Sequence, residues 1–101
     1  MSAYVALLTI HLHFPDAGSL KAKRKELQSV KARLRQKLGA SVAEVDHQDT
    51  WQRSTLGAAL VAGTPTLAEH EADAVARYLF DRYPETVSIE RTVVSFDEVS
   101  G

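Results

Sequence analysis

Four cations, Lys21, Lys23, Arg24 and Lys25, crowd the start of a segment that reads as a helix, and Lys31 and Arg35 follow on it. The positive end of the helix macrodipole lies there, so each early cation is disfavoured by ~0.3–1 kcal/mol. The open backbone N–H groups of the same turn are natural phosphate donors. A sequence that breaks a local rule does so most often at a functional place, and here the chemistry would be anion binding. The competing reading is that nearby acids, Asp46 and Asp49 among them, neutralise the lysines. A second group, His11 and His13, lies two apart on one strand face, a spacing able to chelate a metal with Glu44 or Asp46 as third ligand. Hydrogen-bonded structural histidines are the simpler account, and neither a metal nor another cofactor is expected. A third group, Gln48, Asp49, Trp51 and Arg53, occupies a short polar stretch in which Trp51 either covers a hairpin or borders a binding edge.

Composition narrows the chemistry. In 101 residues with 45% hydrophobic content there is room for one core. The absence of cysteine excludes disulfides, iron–sulfur clusters, thiolate zinc sites and cysteine nucleophiles. No apolar run approaches the ~20 residues of a membrane span, so a cytoplasmic domain is expected. The net charge of −1 conceals a division. Residues 21–37 hold eight of the twelve basic residues and one acid, Glu26, a net of +7, against −8 for the remainder. Such asymmetry points to an anionic partner unless the run is simply a solvated face.

The positioning elements follow from periodicity. Residues 4–14 alternate as a strand, with Tyr4, Ala6, Leu8, Ile10, Leu12 and Phe14 on one face. Ser19 is a suitable N-cap for a helix to Leu38, stopped at Gly39, whose apolar stripe is Leu20, Leu27, Val30, Leu34 and Leu38. Strands are expected at 41–46 and 51–62 around a tight His47–Thr50 turn. A second helix opens near Pro65, with Glu69, Glu71 and Asp73 early in it, and ends at Pro84. Residues 86–96 form a last strand whose alternation slips at Arg91, which suggests a bulge. A single domain over 1–96 and a loose tail over 97–101 complete the chain.

This βαββαβ order predicts an α+β, ferredoxin-like sandwich, a four-stranded antiparallel sheet in the order 4-1-3-2 with two helices on one face. If the tight turn sets the register, Asp46 faces Trp51, Val45 faces Gln52 and Glu44 faces Arg53. Ala43 and Val45 would then point to the helices, and Glu44 to the open face. Residues 19–24 and 46–53 meet at one edge. The other end of the open face carries Val5, Leu7, Ala59 and Val61, a patch that suits a homodimer or other partner contact. Base stacking across the sheet, as in RNA-recognition motifs, is not expected, because Trp51, at the strand edge, is the only aromatic among the open positions of the two central strands.

With these residues assembled, the chain resembles the YlxP-like family of short bacterial proteins. The likeness rests on the opening strand, on Ser19-Leu20-Lys21 followed by Lys23-Arg24, and on VAEVDHQDTWQRSTLG at 42–57. It spans nearly the whole chain and departs mainly in the second helix and the tail. The resemblance implies a ferredoxin-like fold. It also implies a genetic setting beside translation initiation factor two and a ribosome-binding maturation factor. It implies no catalytic or ligand-binding residue.

Together these features lead to the expectation of a non-catalytic RNA- or ribosome-associated protein. Lys21, Lys23, Arg24, Lys25, Lys31 and Arg35 would contact phosphates of ribosomal RNA, beside an edge formed by His11, His13, Gln48, Asp49, Trp51 and Arg53. The alternative is a homodimeric interaction module using the open sheet face. An enzyme is not expected, since no catalytic motif occurs.

Overall fold

The computed structural model describes residues 2–100. Its elements are β1 (Tyr4–His13), α1 (Leu20–Gln36), β2 (Ser41–Asp46), β3 (Arg53–Ala62), α2 (Pro65–Arg82), β4 (Val87–Ser95) and α3 (Phe96–Ser100). The strands form one antiparallel sheet in the order β2-β3-β1-β4, the expected order read from the opposite edge. This is the ferredoxin-like arrangement.

Each long helix starts on a hydroxyl cap. Ser19 Oγ accepts from Ala22 N at 3.1 Å, and Thr64 Oγ1 accepts from Leu67 N at 3.0 Å, with Pro65 in the first turn of α2. Past the end of α1, Gly39 takes φ 72°, which lets Ala40 N bond to Leu34 O at 2.9 Å. The α1 stripe of Leu27, Val30 and Leu34 and the α2 stripe of Ala68, Ala72, Val75 and Leu79 bury against one sheet face. Ala6, Leu8, Ile10 and Leu12 of β1 and Leu56, Ala58 and Leu60 of β3 supply the other half of this core. The alanines of α2 let it sit close to the sheet.

Three expectations change. β3 begins at Arg53, so the connection from β2 is the six-residue segment 47–52, not a four-residue turn. Glu44 therefore pairs with Leu56, and a register shift between Glu44 and Asp46 places Asp46 opposite Thr55. A displacement by an odd number of residues exchanges the faces of a strand. Val42 and Glu44 accordingly lie on the helix side, and Ala43 and Val45 on the open side. Second, β4 runs against β1 without a bulge, with Arg91 in an inward position opposite Leu8. The slip in alternation is an ion pair: Arg91 Nη2 lies 2.6 Å from Asp73 Oδ1 and 3.9 Å from Glu69 Oε2. These acids stand beyond the first turn of α2, which holds none, so they serve Arg91 and not the helix dipole.

Third, residues 96–100 are not a loose tail but the short helix α3; Gly101 lies outside the described residues. Glu98 N donates to Ser95 Oγ at 3.2 Å while Ser95 N donates to Glu98 Oε1 at 3.4 Å, a capping box readable in the sequence as Ser-Phe-Asp-Glu. Phe96 N bonds to Ala3 O and ties the turn to the start of β1. Among the described residues no helix is long and apolar enough to cross a membrane.

Candidate nucleic-acid interface

Lys23 occupies the inner side of α1, one turn before Leu27, and its side chain is fully buried. Its Nζ donates to Glu44 Oε2 at 3.1 Å and to three backbone carbonyls, those of His47 at 2.7 Å, Gln48 at 3.3 Å and Arg53 at 3.1 Å. Glu44 reaches it because the β2 register turns this carboxylate to the helix side, where Ser54 Oγ also donates to Oε2 at 2.6 Å. An ammonium removed from water costs several kcal/mol unless a counter-charge and hydrogen bonds replace the water, and here both do. The expectation that Lys23 contacts phosphate is therefore corrected: every proton it can donate is directed inward.

The segment 47–52 is held around this ammonium. His47 adopts φ 62°, a left-handed conformation, and its N–H bonds to Asp46 Oδ1 at 2.7 Å. Thr50 N closes on His47 O at 3.1 Å. Beyond Trp51, Gln52 O accepts from Phe14 N at 2.7 Å, and Gln52 Nε2 donates to Pro15 O at 3.3 Å. The loop is thus fastened on both sides of Trp51, which is 49% exposed. Gln48 and Asp49 are exposed beside it. The two segments expected to meet at one edge do meet, through Lys23.

The remaining named cations stay in water. Lys21, Arg24, Lys25 and Arg35 are exposed and Lys31 is half-buried. At 100° per residue these five share a stripe of α1 about 120° wide and about 21 Å long, which contains no acid. Arg35 Nη2 donates to Val42 O at 2.7 Å, which lays the end of the stripe along edge strand β2. Glu26 is turned to the opposite flank of the helix and takes no part in neutralising it.

Residues 5–92 match the family described as protein of unknown function, DUF503. The chain belongs to this family. It is 41% identical over 78 residues to the uncharacterized protein YlxP of Bacillus subtilis, covering 77% of this chain and 80% of that one. In fold it is similar to the designed protein Foldit4, with a TM-score of 0.59 and 7% identity over 91% of this chain and 96% of that one. It is likewise similar to 30S ribosomal protein S6 of Thermotoga maritima, with a TM-score of 0.51 and 8% identity over 96% and 92%. At such identities the likeness concerns architecture alone.

In this DUF503 member the Val-Ala-Glu-Val-Asp-His-Gln-Asp-Thr-Trp-Gln-Arg stretch, 42–53, is the enclosure of Lys23. His11 Nε2 lies 2.8 Å from Glu90 Oε1 on β4 and Nδ1 lies 3.4 Å from Thr55 Oγ1. His13 stands exposed in register with Arg53, whose side chain is exposed and does not pair with Glu44. Among the described residues no three of His, Asp and Glu come close enough to share a metal ion.

The same DUF503 fold holds a group not singled out in the sequence. A cavity of about 550 Å³ opens between the end of β1, the start of α1 and the end of α2, with His13, Phe14, Asp16, Glu26, Arg82 and Tyr83 in its wall. Glu26 Oε1 accepts from the Tyr83 hydroxyl and from Arg82 Nη2 at 3.0 Å. Arg82 Nη1 donates onward to Tyr78 Oη at 2.7 Å, and the Tyr83 ring meets Phe14 edge-on. The Tyr83 hydrogen bond, aided by Arg82, holds the Glu26 carboxyl below its ordinary range against the opposing effect of burial. Burial and the Glu26 carboxylate push the Tyr83 hydroxyl up, so it remains a donor. The one available signal was Glu26 itself, the lone acid of the basic segment.

Proposed function

We propose that this chain is a non-catalytic, cytoplasmic RNA-binding protein acting at or near the ribosome. It holds phosphates along the outer face of α1 with Lys21, Arg24, Lys25, Lys31 and Arg35. The observation that carries this reading is the acid-free stripe: five cations at helical spacing, none with an acidic partner among the described residues. Solvated helix faces normally intersperse both signs, as α2 does with Glu69, Glu71, Asp73, Arg77 and Asp81. The translation setting implied by the family resemblance agrees with it. Phosphate contacts of this kind position RNA without reading sequence.

The test is binding of the intact protein to purified 30S subunits and to a labelled ribosomal RNA hairpin across a salt series. Neutralising up to five phosphates corresponds to a loss of about 10²–10³-fold in affinity between 50 and 200 mM salt. A Lys25→Glu/Lys31→Glu variant should lose binding while keeping its fold, since neither side chain makes an ion pair or hydrogen bond among the described residues. Weak binding that is the same in both proteins and insensitive to salt overturns the reading.

A second reading is favoured by the open face. Leu7, Val45 and Val61 are 45%, 56% and 64% exposed there, and a second copy of the chain would cover them. Light scattering of the wild type that shows a monomer at all concentrations removes it.

A further inference from the structure

We propose that Trp51 is the stacking platform for an unpaired base, so that the RNA carried by α1 is single-stranded or looped where it passes the segment 47–52. This deepens the RNA reading above and rests on it. Trp51 is the one tryptophan of the chain, half exposed, and its indole has neither a ring partner nor a hydrogen bond among the described residues. An aromatic side chain left this open on a mobile loop would mean little, because ordering it on binding would cancel much of the gain.

Here the loop is ordered in advance. Lys23 holds the carbonyls of His47, Gln48 and Arg53 on both sides of Trp51, and Gln52 is bonded at its backbone and its amide. The same lysine belongs to the first turns of α1, so its inward contacts fasten the loop to the end of the helix whose outward side carries Lys21, Arg24 and Lys25. A platform that is rigid, aromatic and adjacent to cations is what single-strand binding uses, since every base offers a π-face while phosphates follow the charge.

The charges around Trp51 decide which part of a nucleotide faces it. Asp46, at the end of β2, and Asp49, within the loop, repel a phosphate. Their oxygens, and the Gln48 amide, can instead accept from or donate to the edge of a splayed base. The backbone then runs along Lys21, Arg24 and Lys25, and the base turns inward to the indole. A duplex cannot satisfy this arrangement, because its bases are already stacked on one another. A basic protein segment would meet the aspartates but would be repelled by α1.

The experiment titrates the full-length protein with an oligouridine single strand and with an RNA duplex of equal length. It follows intrinsic tryptophan fluorescence and, separately, the anisotropy of labelled RNA. The single strand should quench Trp51 at saturation and the duplex should not. Trp51→Ala should weaken the single strand about tenfold or more and leave any duplex binding unchanged, with Trp51→Phe close to wild type. Single-strand binding without quenching, or Trp51→Ala binding as wild type, overturns the stacking proposal. If Lys25→Glu/Lys31→Glu alone abolishes binding, the phosphate reading stands without it. If neither RNA binds the wild type, both readings fall. The quenching is measured on unmodified protein, so a poorly folded Trp51→Ala would not spare the proposal.

Discussion

Lys23 Nζ and Glu44 Oε2 stand 3.1 Å apart on the buried side of α1, joining a helix and an edge strand 21 residues away in sequence. The pair closes the end of the sheet where α1 begins, and three carbonyls of the β2–β3 loop complete the shell of the ammonium. It turns Lys23 from an expected phosphate contact into the support of the loop that carries Trp51.

Removal of either partner should therefore be severe. Lys23→Met is expected to lower stability by about 3–5 kcal/mol, since it leaves Glu44 without its counter-charge and the loop carbonyls without a donor. Lys23→Met/Glu44→Leu should recover part of the loss. Urea unfolding of the single and double variants measures the coupling, and equal midpoints for Lys23→Met and wild type would contradict the assignment.

The outer cations should behave in the opposite way. Lys21→Ala, Lys25→Ala and Lys31→Ala are expected to change stability by under about 0.5 kcal/mol. Each should reduce the slope of log affinity against log salt for RNA by about one. Thermal melts and anisotropy titrations separate the two effects.

Acid stability should depend on Glu26. Its folded pKa lies below the ordinary value of 4.5, so in acid the unfolded chain takes up this proton first. The contribution is present in full above 4.5 and disappears as the pH falls through the lower folded value. Because the carboxylate is 40% exposed, solvent screens it and the effect is modest. Glu26→Gln should flatten the stability profile between neutral pH and pH 3, as read by urea midpoints. The Tyr83 hydroxyl acts at the other end: its raised pKa supports the fold below 10, and that support is lost as the pH rises beyond it.

The inward arginine of β4 makes a smaller contribution. Arg91 and Asp73 are 37% and 45% exposed, so Arg91→Val should cost less than about 1 kcal/mol despite the 2.6 Å contact. It also removes an inward charge from an edge strand, so self-association should rise. Calorimetry together with light scattering tests both.

Much of the fold was legible because its signals are local or topological. The alternation of Tyr4 to Phe14, the caps at Ser19 and Thr64, Gly39 at its positive φ and the right-handed crossovers give the element order and the strand order. The outward stripe of α1 is equally local, since 3.6 residues per turn bring Lys21, Arg24, Lys25, Lys31 and Arg35 to one side whatever the helix packs against.

What the sequence alone left undecided was the fate of residues whose surroundings come from distant parts of the chain. The tight turn at His47–Thr50 was a reasonable local inference, yet the buried ammonium draws the carbonyls of His47, Gln48 and Arg53 toward one point and opens a six-residue loop. That loop shifts β2 by an odd step, and strand faces alternate with a period of two, so Glu44 passes from the open face to the core side. Arg91 likewise looks like a break in pattern until α2 brings Asp73 within reach. Local periodicity therefore determined which elements form and which faces they bury. Only the tertiary structure decided that Lys23, among neighbours of the same charge, is the one whose charge the fold keeps for itself.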